Sequence, residues 1–140
     1  MPAIEGRCLC GSISYTSTDE PILVGICHCT DCRRQSGTAF SINVGVPAGG
    51  LTITGTPKVY ETMGTDRGEP ARRHFCGDCG SPIISVLADA DDIAFVKGGT
   101  LDDPSWIEPE LELWEESRLP WVDRIESEER GYFSRGLNTD

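Results

Sequence analysis

No stretch of the 140-residue sequence approaches the roughly 18 consecutive apolar residues that a membrane-spanning helix needs. The opening Met1-Pro-Ala-Ile-Glu-Gly-Arg7 holds neither a basic n-region nor an apolar h-region before Cys8. A secretory leader is therefore not expected, and the expected compartment is the reducing cytoplasm. Basic residues are scarce as well, 12 against 23 acidic ones, for a formal net charge of -11. The imbalance falls late: from Asp102 to Asp140 there are 12 acidic and 4 basic residues. Such a chain repels phosphate backbones, so nucleic acid is not an expected partner. The pairs Arg33-Arg34 and Arg72-Arg73 are too small to reverse that, although each could hold one small anion. There is no internal repeat and no low-complexity linker, and the length suits a single domain, residues 1–140.

What is present reads mainly as strand. Ile13 and Tyr15 alternate with polar residues between Gly11 and Ser17. Phe40, Ile42, Val44 and Val46 repeat with a period of two, the pattern of a half-buried strand. Pro47-Ala-Gly-Gly50 breaks that run and Leu51-Thr-Ile-Thr54 resumes it, which predicts a hairpin. Further strands are expected at Lys58–Met63, Pro82–Leu87 and Ile93–Lys97, the last two joined by an acidic turn from Ala88 to Asp92. Leu111 and Leu113 mark another, with Trp114 on its opposite face. Helix is expected only from Asp31 to Ser36, with Thr30 as N-cap. The charged stretch from Asp123 to Arg130 reads as a solvated terminal helix or a disordered segment. The fold class is all-β, a single domain of small antiparallel sheets.

Seven cysteines fall into three clusters, Cys8-x-Cys10, Cys27-x-Cys29-x-x-Cys32 and Cys76-x-x-Cys79. An odd count rules out a complete disulfide framework, and the expected compartment argues the same way. Cys76-Gly-Asp-Cys79-Gly80 has the glycines of a metal knuckle, which let the backbone turn and aim amides at the sulfurs. Zinc takes four such ligands, so seven divide as four plus three. Each two-cysteine cluster supplies half a tetrahedron, and Cys8, Cys10, Cys76 and Cys79 together can close a structural staple. Cys27, Cys29 and Cys32 can hold a second zinc with one position vacant, the mark of a catalytic site. Spacing leaves other partitions open, including completion of the middle cluster by His28 or His74. An open three-thiolate zinc is a weak Lewis acid and a soft centre, better suited to a sulfur ligand than to making hydroxide. A thiol bound there would be deprotonated and held as a nucleophile. The reaction this predicts is the making or breaking of a carbon–sulfur bond to a small electrophile such as an aldehyde.

The run from Cys27 to Phe40, Cys-His-Cys-Thr-Asp-Cys-Arg-Arg-Gln-Ser-Gly-Thr-Ala-Phe, resembles the signature of the glutathione-dependent formaldehyde-activating enzyme family. So do Gly6-Arg-Cys-Leu-Cys-Gly-Ser-Ile13, Arg73-His-Phe-Cys-Gly-Asp-Cys-Gly80, Lys97-Gly-Gly-Thr-Leu-Asp-Asp103 and Pro120-Trp121. The resemblance covers a core of about residues 6–121 and leaves an acidic tail of about 122–140. It implies the all-β metal-bound scaffold called a β-tent. It assigns Cys8, Cys10, Cys76 and Cys79 to the structural zinc and Cys27, Cys29 and Cys32 to the catalytic one. The implied activity is condensation of glutathione with formaldehyde to S-hydroxymethylglutathione, classed as a carbon–sulfur lyase by its reverse. One departure stands out. Family members often carry histidine in a Pro-x-x-His pattern, where Pro109-Glu-Leu-Glu112 puts Glu112. If that histidine shapes the substrate site, the substrate here differs from the named one.

On this reading the partners are a small thiol such as glutathione and a small aldehyde. Arg33, Arg34 or Arg73 would take the thiol's carboxylates by bidentate pairing, with Gln35 and Ser36 as polar contacts. The competing reading is a non-catalytic zinc scaffold that binds a protein partner. The acidic C-terminal third, with Trp106, Trp114 and Trp121, would then form the docking surface.

Overall fold

A computed structural model describes residues 4–64, 68–124 and 129–136. The expected all-β class is borne out. Eleven strands occur among the described residues: β1 (Ile4–Arg7), β2 (Ser14–Ser17), β3 (Leu23–Cys27), β4 (Ser41–Pro47), β5 (Leu51–Thr54), β6 (Lys58–Thr62), β7 (Ala71–Phe75), β8 (Pro82–Leu87), β9 (Ala90–Lys97), β10 (Leu111–Leu113) and β11 (Gly131–Tyr132). One short helix, α1 (Thr30–Ser36), follows β3. No helix among the described residues is long and apolar enough to cross a membrane.

The strands form two sheets. The smaller is antiparallel, in the order β1-β2-β5, and the larger has eight strands in the order β11-β10-β3-β4-β9-β8-β7-β6. Most of the larger sheet is antiparallel, but β10 runs parallel to both β3 and β11 at one edge. Strand β5 pairs with β2 rather than with β4, so the predicted hairpin does not form. A single 3-10 turn, Ala48–Gly50, instead hands the chain from the large sheet to the small one. The Pro-Ala-Gly-Gly break marks a real turn. Sequence could not tell which sheet the next strand joins.

Register explains how the large sheet carries both a core and a site. Val24, Val44, Val96 and Ile84 lie opposite one another on β3, β4, β9 and β8, and all are buried in the main hydrophobic core. Ile4, Ile13 and Tyr15 belong to the same core. One residue along, Leu23, Gly45, Phe95, Ser85 and Arg73 form the next cross-strand row. Side chains alternate faces along a strand, so this second row lies on the sheet's other side. That side lines a cavity.

Strand β2 reaches the 3-10 turn that follows β9, Gly98–Thr100, through Tyr15, whose hydroxyl lies 2.6 Å from Thr100 Oγ1. Burial pushes the Tyr15 phenol up to about 12. Gly6 passes between these two residues with no room for a side chain: a Cβ there would run into the Thr100 carbonyl oxygen and the Tyr15 ring. Gly6→Ala is therefore expected to lower stability by about 1–3 kcal/mol, the usual cost of overpacking against backbone that cannot yield. A urea titration measures this directly, and an unchanged midpoint would refute the close approach.

Candidate metal centres and active-site cavity

Two groups of cysteine sulfurs converge, each with all its Sγ atoms within 4.8 Å of one another. The partition is the one expected: Cys8, Cys10, Cys76 and Cys79 in one group, Cys27, Cys29 and Cys32 in the other. All seven thiols are free. Either group could hold a metal ion.

The four-cysteine group joins the turn after β1 to the turn between β7 and β8. Cys8 Sγ and Cys76 Sγ each lie 3.7 Å from Cys10 Sγ. A tetrahedron with zinc–sulfur bonds of about 2.3 Å has edges of about 3.8 Å, so the sulfurs already stand at ligand spacing. Backbone amides of Ile13 and Asp78 donate to Cys8 Sγ at 3.3 Å and to Cys76 Sγ at 3.4 Å. Gly11 and Gly80, with φ of 83° and 80°, supply the left-handed turns in the two loops. Ser81 ties the loops together, its hydroxyl accepting from the Leu9 amide at 3.1 Å. The same hydroxyl, then the Ser81 and Cys10 amides, hold the Cys79 thiol down to about 5. These surroundings favour thiolate at Cys8 and Cys79, while the Cys76 thiol, despite backbone hydrogen bonds that lower it, is pushed up to about 11 by burial and the neighbouring thiols.

The three-cysteine group sits where β3 ends and α1 begins. The helix starts one residue earlier than predicted: Cys29, not Thr30, is the N-cap, and its sulfur accepts from the Cys32 amide at 3.3 Å. A ligand sulfur thus does the capping work expected of a hydroxyl. Gly37, at φ 70°, ends the helix. Hydrogen bonds from Cys27 and Cys29 hold the Cys32 thiol well below its usual value, with Lys97 and Arg73 charges adding to this against burial. The cluster favours thiolate at Cys32, whose sulfur lies 3.7 Å from Arg73 Nη1.

Neither histidine completes this group. His28 points to the other side of β3, where its Nε2 lies 2.9 Å from Glu112 Oε1, both side chains almost fully buried. Glu112 also accepts from Arg130 at 3.3 Å. Register accounts for this, since Glu112 stands opposite Ile26 while Leu113 stands opposite Cys27. Glu112 therefore faces away from the cavity and is not part of its wall. His74 lies on the core side of β7, opposite Ile84 and Val59.

The three cysteines open onto a cavity of about 210 Å3 on the second face of the large sheet. Arg73 lines it, only 5% exposed, with Nη1 3.7 Å from Cys32 Sγ. Burial alone would lower the Arg73 pKa, but the Cys32 and Cys29 charges more than offset it and the net shift is upward. Lys97 also lines the cavity, 6% exposed, its Nζ donating to Ser41 Oγ at 2.9 Å and Asn43 Oδ1 at 3.1 Å. Burial pulls the Lys97 ammonium down, and the neighbouring thiolates oppose that. Trp114 closes one side. It was expected on the face opposite the leucines, but a left-handed backbone (φ 59°) swings it beside Leu113 against the cysteines.

Arg33, Arg34, Gln35 and Ser36 do not line this cavity. Arg34 is exposed, Arg33 half-buried, and the Ser36 hydroxyl donates back to the Cys32 carbonyl at 2.7 Å. Lys97, Asn43 and Ser85 were not singled out by sequence reasoning. Lys97 did leave a trace, as a lysine ending the apolar run Ile93-Ala-Phe-Val.

The C-terminal segment reaches the same place. The Trp114, Glu115 and Glu116 amides donate to Arg135, Phe133 and Ser134 carbonyls, and Gly131 and Phe133 donate to Glu110 and Glu112. Arg135 stacks over the Trp114 ring at 4.8 Å, and Gly136 is part of the cavity lining. Of the stretch from Asp123 to Arg130 predicted as helix or disorder, residues 125–128 lie outside the described residues, while Glu129 and Arg130 open the docked strap of residues 129–136.

A solved structure of a Rhodobacter sphaeroides protein resembles this fold with a TM-score of 0.56, at 20% identity, over 76% of this chain and 92% of that one. A curated protein of Emericella nidulans that carries a glutathione-dependent formaldehyde-activating name is 26% identical over 74 residues, 53% of this chain. The chain spans only 36% of that relative's length. The profile of the glutathione-dependent formaldehyde-activating enzyme family matches residues 3–117, most of the chain and both cysteine groups. The chain belongs to the glutathione-dependent formaldehyde-activating enzyme family.

Proposed function

We propose that the protein is a zinc-dependent carbon–sulfur lyase or synthase. It would act on the adduct of a small thiol and an aldehyde, with S-hydroxymethylglutathione from glutathione and formaldehyde as the family's case. One observation carries this reading: three convergent cysteine sulfurs, with two buried cations, facing a cavity. Cys8, Cys10, Cys76 and Cys79 would hold a structural zinc, and Cys27, Cys29 and Cys32 a second one. When bound, that second zinc supplies a lowered pKa for an incoming thiol.

The remaining work falls to the chain's own residues. Three thiolates overcompensate the charge of a divalent ion, and Arg73 and Lys97, both buried beside the cysteines, offset the excess at short range. In the forward direction the thiol gives up its S–H proton, its sulfur bonds to the carbonyl carbon, the carbonyl π pair moves to oxygen, and that oxygen takes up a proton, so no proton is gained or lost overall. Nothing is oxidised or reduced. Lys97, fixed by Ser41 and Asn43, presents an ammonium to the developing oxyanion. Arg73 is the candidate for a thiol carboxylate, since Arg33 and Arg34 stand off the cavity.

Cobalt in place of zinc tests this. Glutathione added to the cobalt protein is expected to strengthen the sulfur-to-metal charge-transfer bands as a fourth thiolate joins. Arg73→Leu should weaken glutathione about ten- to a hundredfold, the loss of a charge-assisted hydrogen bond of about 1.5–3 kcal/mol. Formaldehyde exchange with bound glutathione should outrun the protein-free mixture. A cobalt spectrum unmoved by any small thiol would overturn the enzyme reading. The scaffold reading has less support: Trp114 walls the cavity and Trp106 packs on the core, leaving Trp121 alone exposed, at 71%.

A further inference from the structure

Formaldehyde leaves much of this cavity without a task. Beyond the cysteines and cations, the wall continues over Leu23, Phe95, Ile93 and Leu87. Leu23, Ile93 and Phe95 converge over Gly45, whose missing Cβ would stand 3.3–3.4 Å from all three. They form an apolar floor on the same sheet face as Lys97, Ser85 and Arg73. Ser85 Oγ sits at the border of the two regions, buried and without a hydrogen-bond partner. A buried hydroxyl left unpaired costs free energy, so a ligand oxygen placed there gains by satisfying it. A one-carbon aldehyde has no apolar surface to bury on such a floor. The peptide groups of glutathione would lose hydration against it.

We propose that the aldehyde taken here carries a hydrocarbon group of several carbons, which lies on Leu23, Phe95, Ile93 and Leu87 while an adduct oxygen meets Ser85. This rests on the thiol–aldehyde reading and names its substrate class. A cavity of about 210 Å3 falls below the roughly 300 Å3 at which drug-sized sites begin, a size suited to the aldehyde portion with the rest of the thiol at the mouth. The bond changes are those already given: the S–H bond breaks, the carbon–sulfur bond forms, the π pair goes to oxygen, and one proton passes overall from sulfur to oxygen, with no redox partner.

S-methyl-, S-propyl- and S-butylglutathione, stable mimics whose S-alkyl carbons replace those of the aldehyde, test the assignment by calorimetry on the zinc protein. Each added methylene should tighten binding about three- to fourfold, so butyl should exceed methyl by roughly thirty- to sixtyfold. Leu87→Gln, at a half-buried position ending β8, should flatten that series, lowering the ratio of butyl to methyl affinity toward one. Ile93→Thr is a second variant with the same expected effect. Equal affinity along the series, preference for the methyl compound, or no binding of any member would each overturn the apolar-aldehyde assignment. If glutathione still moves the cobalt spectrum in that event, the thiol reading survives. A steep series beside a silent cobalt spectrum would instead remove the thiol chemistry and the aldehyde assignment with it.

Discussion

Replacing Cys76 with serine is expected to leave the protein unfolded or aggregated under conditions where the parent chain is stable. The four-cysteine group joins two loops separated by 66 residues, with Cys10 and Cys76 sulfurs 3.7 Å apart. Without a metal those sulfurs are a liability, since thiolates at that spacing repel and, despite backbone hydrogen bonds that lower it, the Cys76 thiol is pushed up to about 11 by burial and the neighbouring thiols. With zinc bound, the site contributes folding free energy on the order of 10 kcal/mol, comparable to the whole stability of a domain this size. A serine oxygen is a poor substitute for a thiolate and leaves zinc with three sulfurs. The comparison that gives the result meaning is Cys29→Ser. It should leave most of the fold in place, because its cluster lies in one contiguous stretch from β3 into α1 and staples no distant segments. Circular dichroism, a thermal melt and zinc content on both variants check this. Equal loss of stability in the two would mean the division into structural and reactive groups is wrong.

How much of this was legible beforehand depended on whether the signal was local. The cysteine partition could be read because zinc needs four ligands and the spacings left a natural four-plus-three division. The strands at Pro82–Leu87 and within Ala90–Lys97 were legible because alternation and a turn sit in adjacent sequence. The β4–β5 hairpin was misread because a turn signal says that the chain bends, not which sheet receives it. Lys97 was passed over for a related reason. Its role comes from Asn43 standing opposite it on β4, a pairing across 54 residues that no local pattern encodes. Arg73 was named together with Arg33 and Arg34, and only the fold distinguishes the arginine on the cavity row from the two on α1. The docking of residues 129–136 was hidden by composition, since a charged stretch is usually solvated. Here its arginines bind specific carboxylates and an aromatic ring.

That docking sets the other large effect, at Glu112. Its carboxylate is buried between His28, just after β3, and Arg130 beside β11, with side chains 4%, 1% and 13% exposed. Arg135 meets Glu116 at 3.4 Å a little further along, so the strap is held by two arginine–carboxylate contacts as well as its backbone bonds. Glu112→Ala is expected to destabilise the protein by about 3–5 kcal/mol, the usual penalty for removing one member of a buried pair and stranding its partner. Arg130→Met should cost less, because Glu112 keeps His28 and the longer apolar side chain refills the space. The double variant should fall short of the sum, since the two residues share one network. Hydrogen exchange locates the effect: the Gly131 and Phe133 amides, which donate to Glu110 and Glu112, should lose protection in Glu112→Ala before the β4 and β9 amides do. Thiol binding at Cys27, Cys29 and Cys32 should weaken at the same time. Trp114 and Gly136 line that cavity, and both hang on the strap. A Glu112→Ala protein within 1 kcal/mol of the parent, with the strap amides still protected, would show that backbone pairing alone holds the C-terminal segment in place.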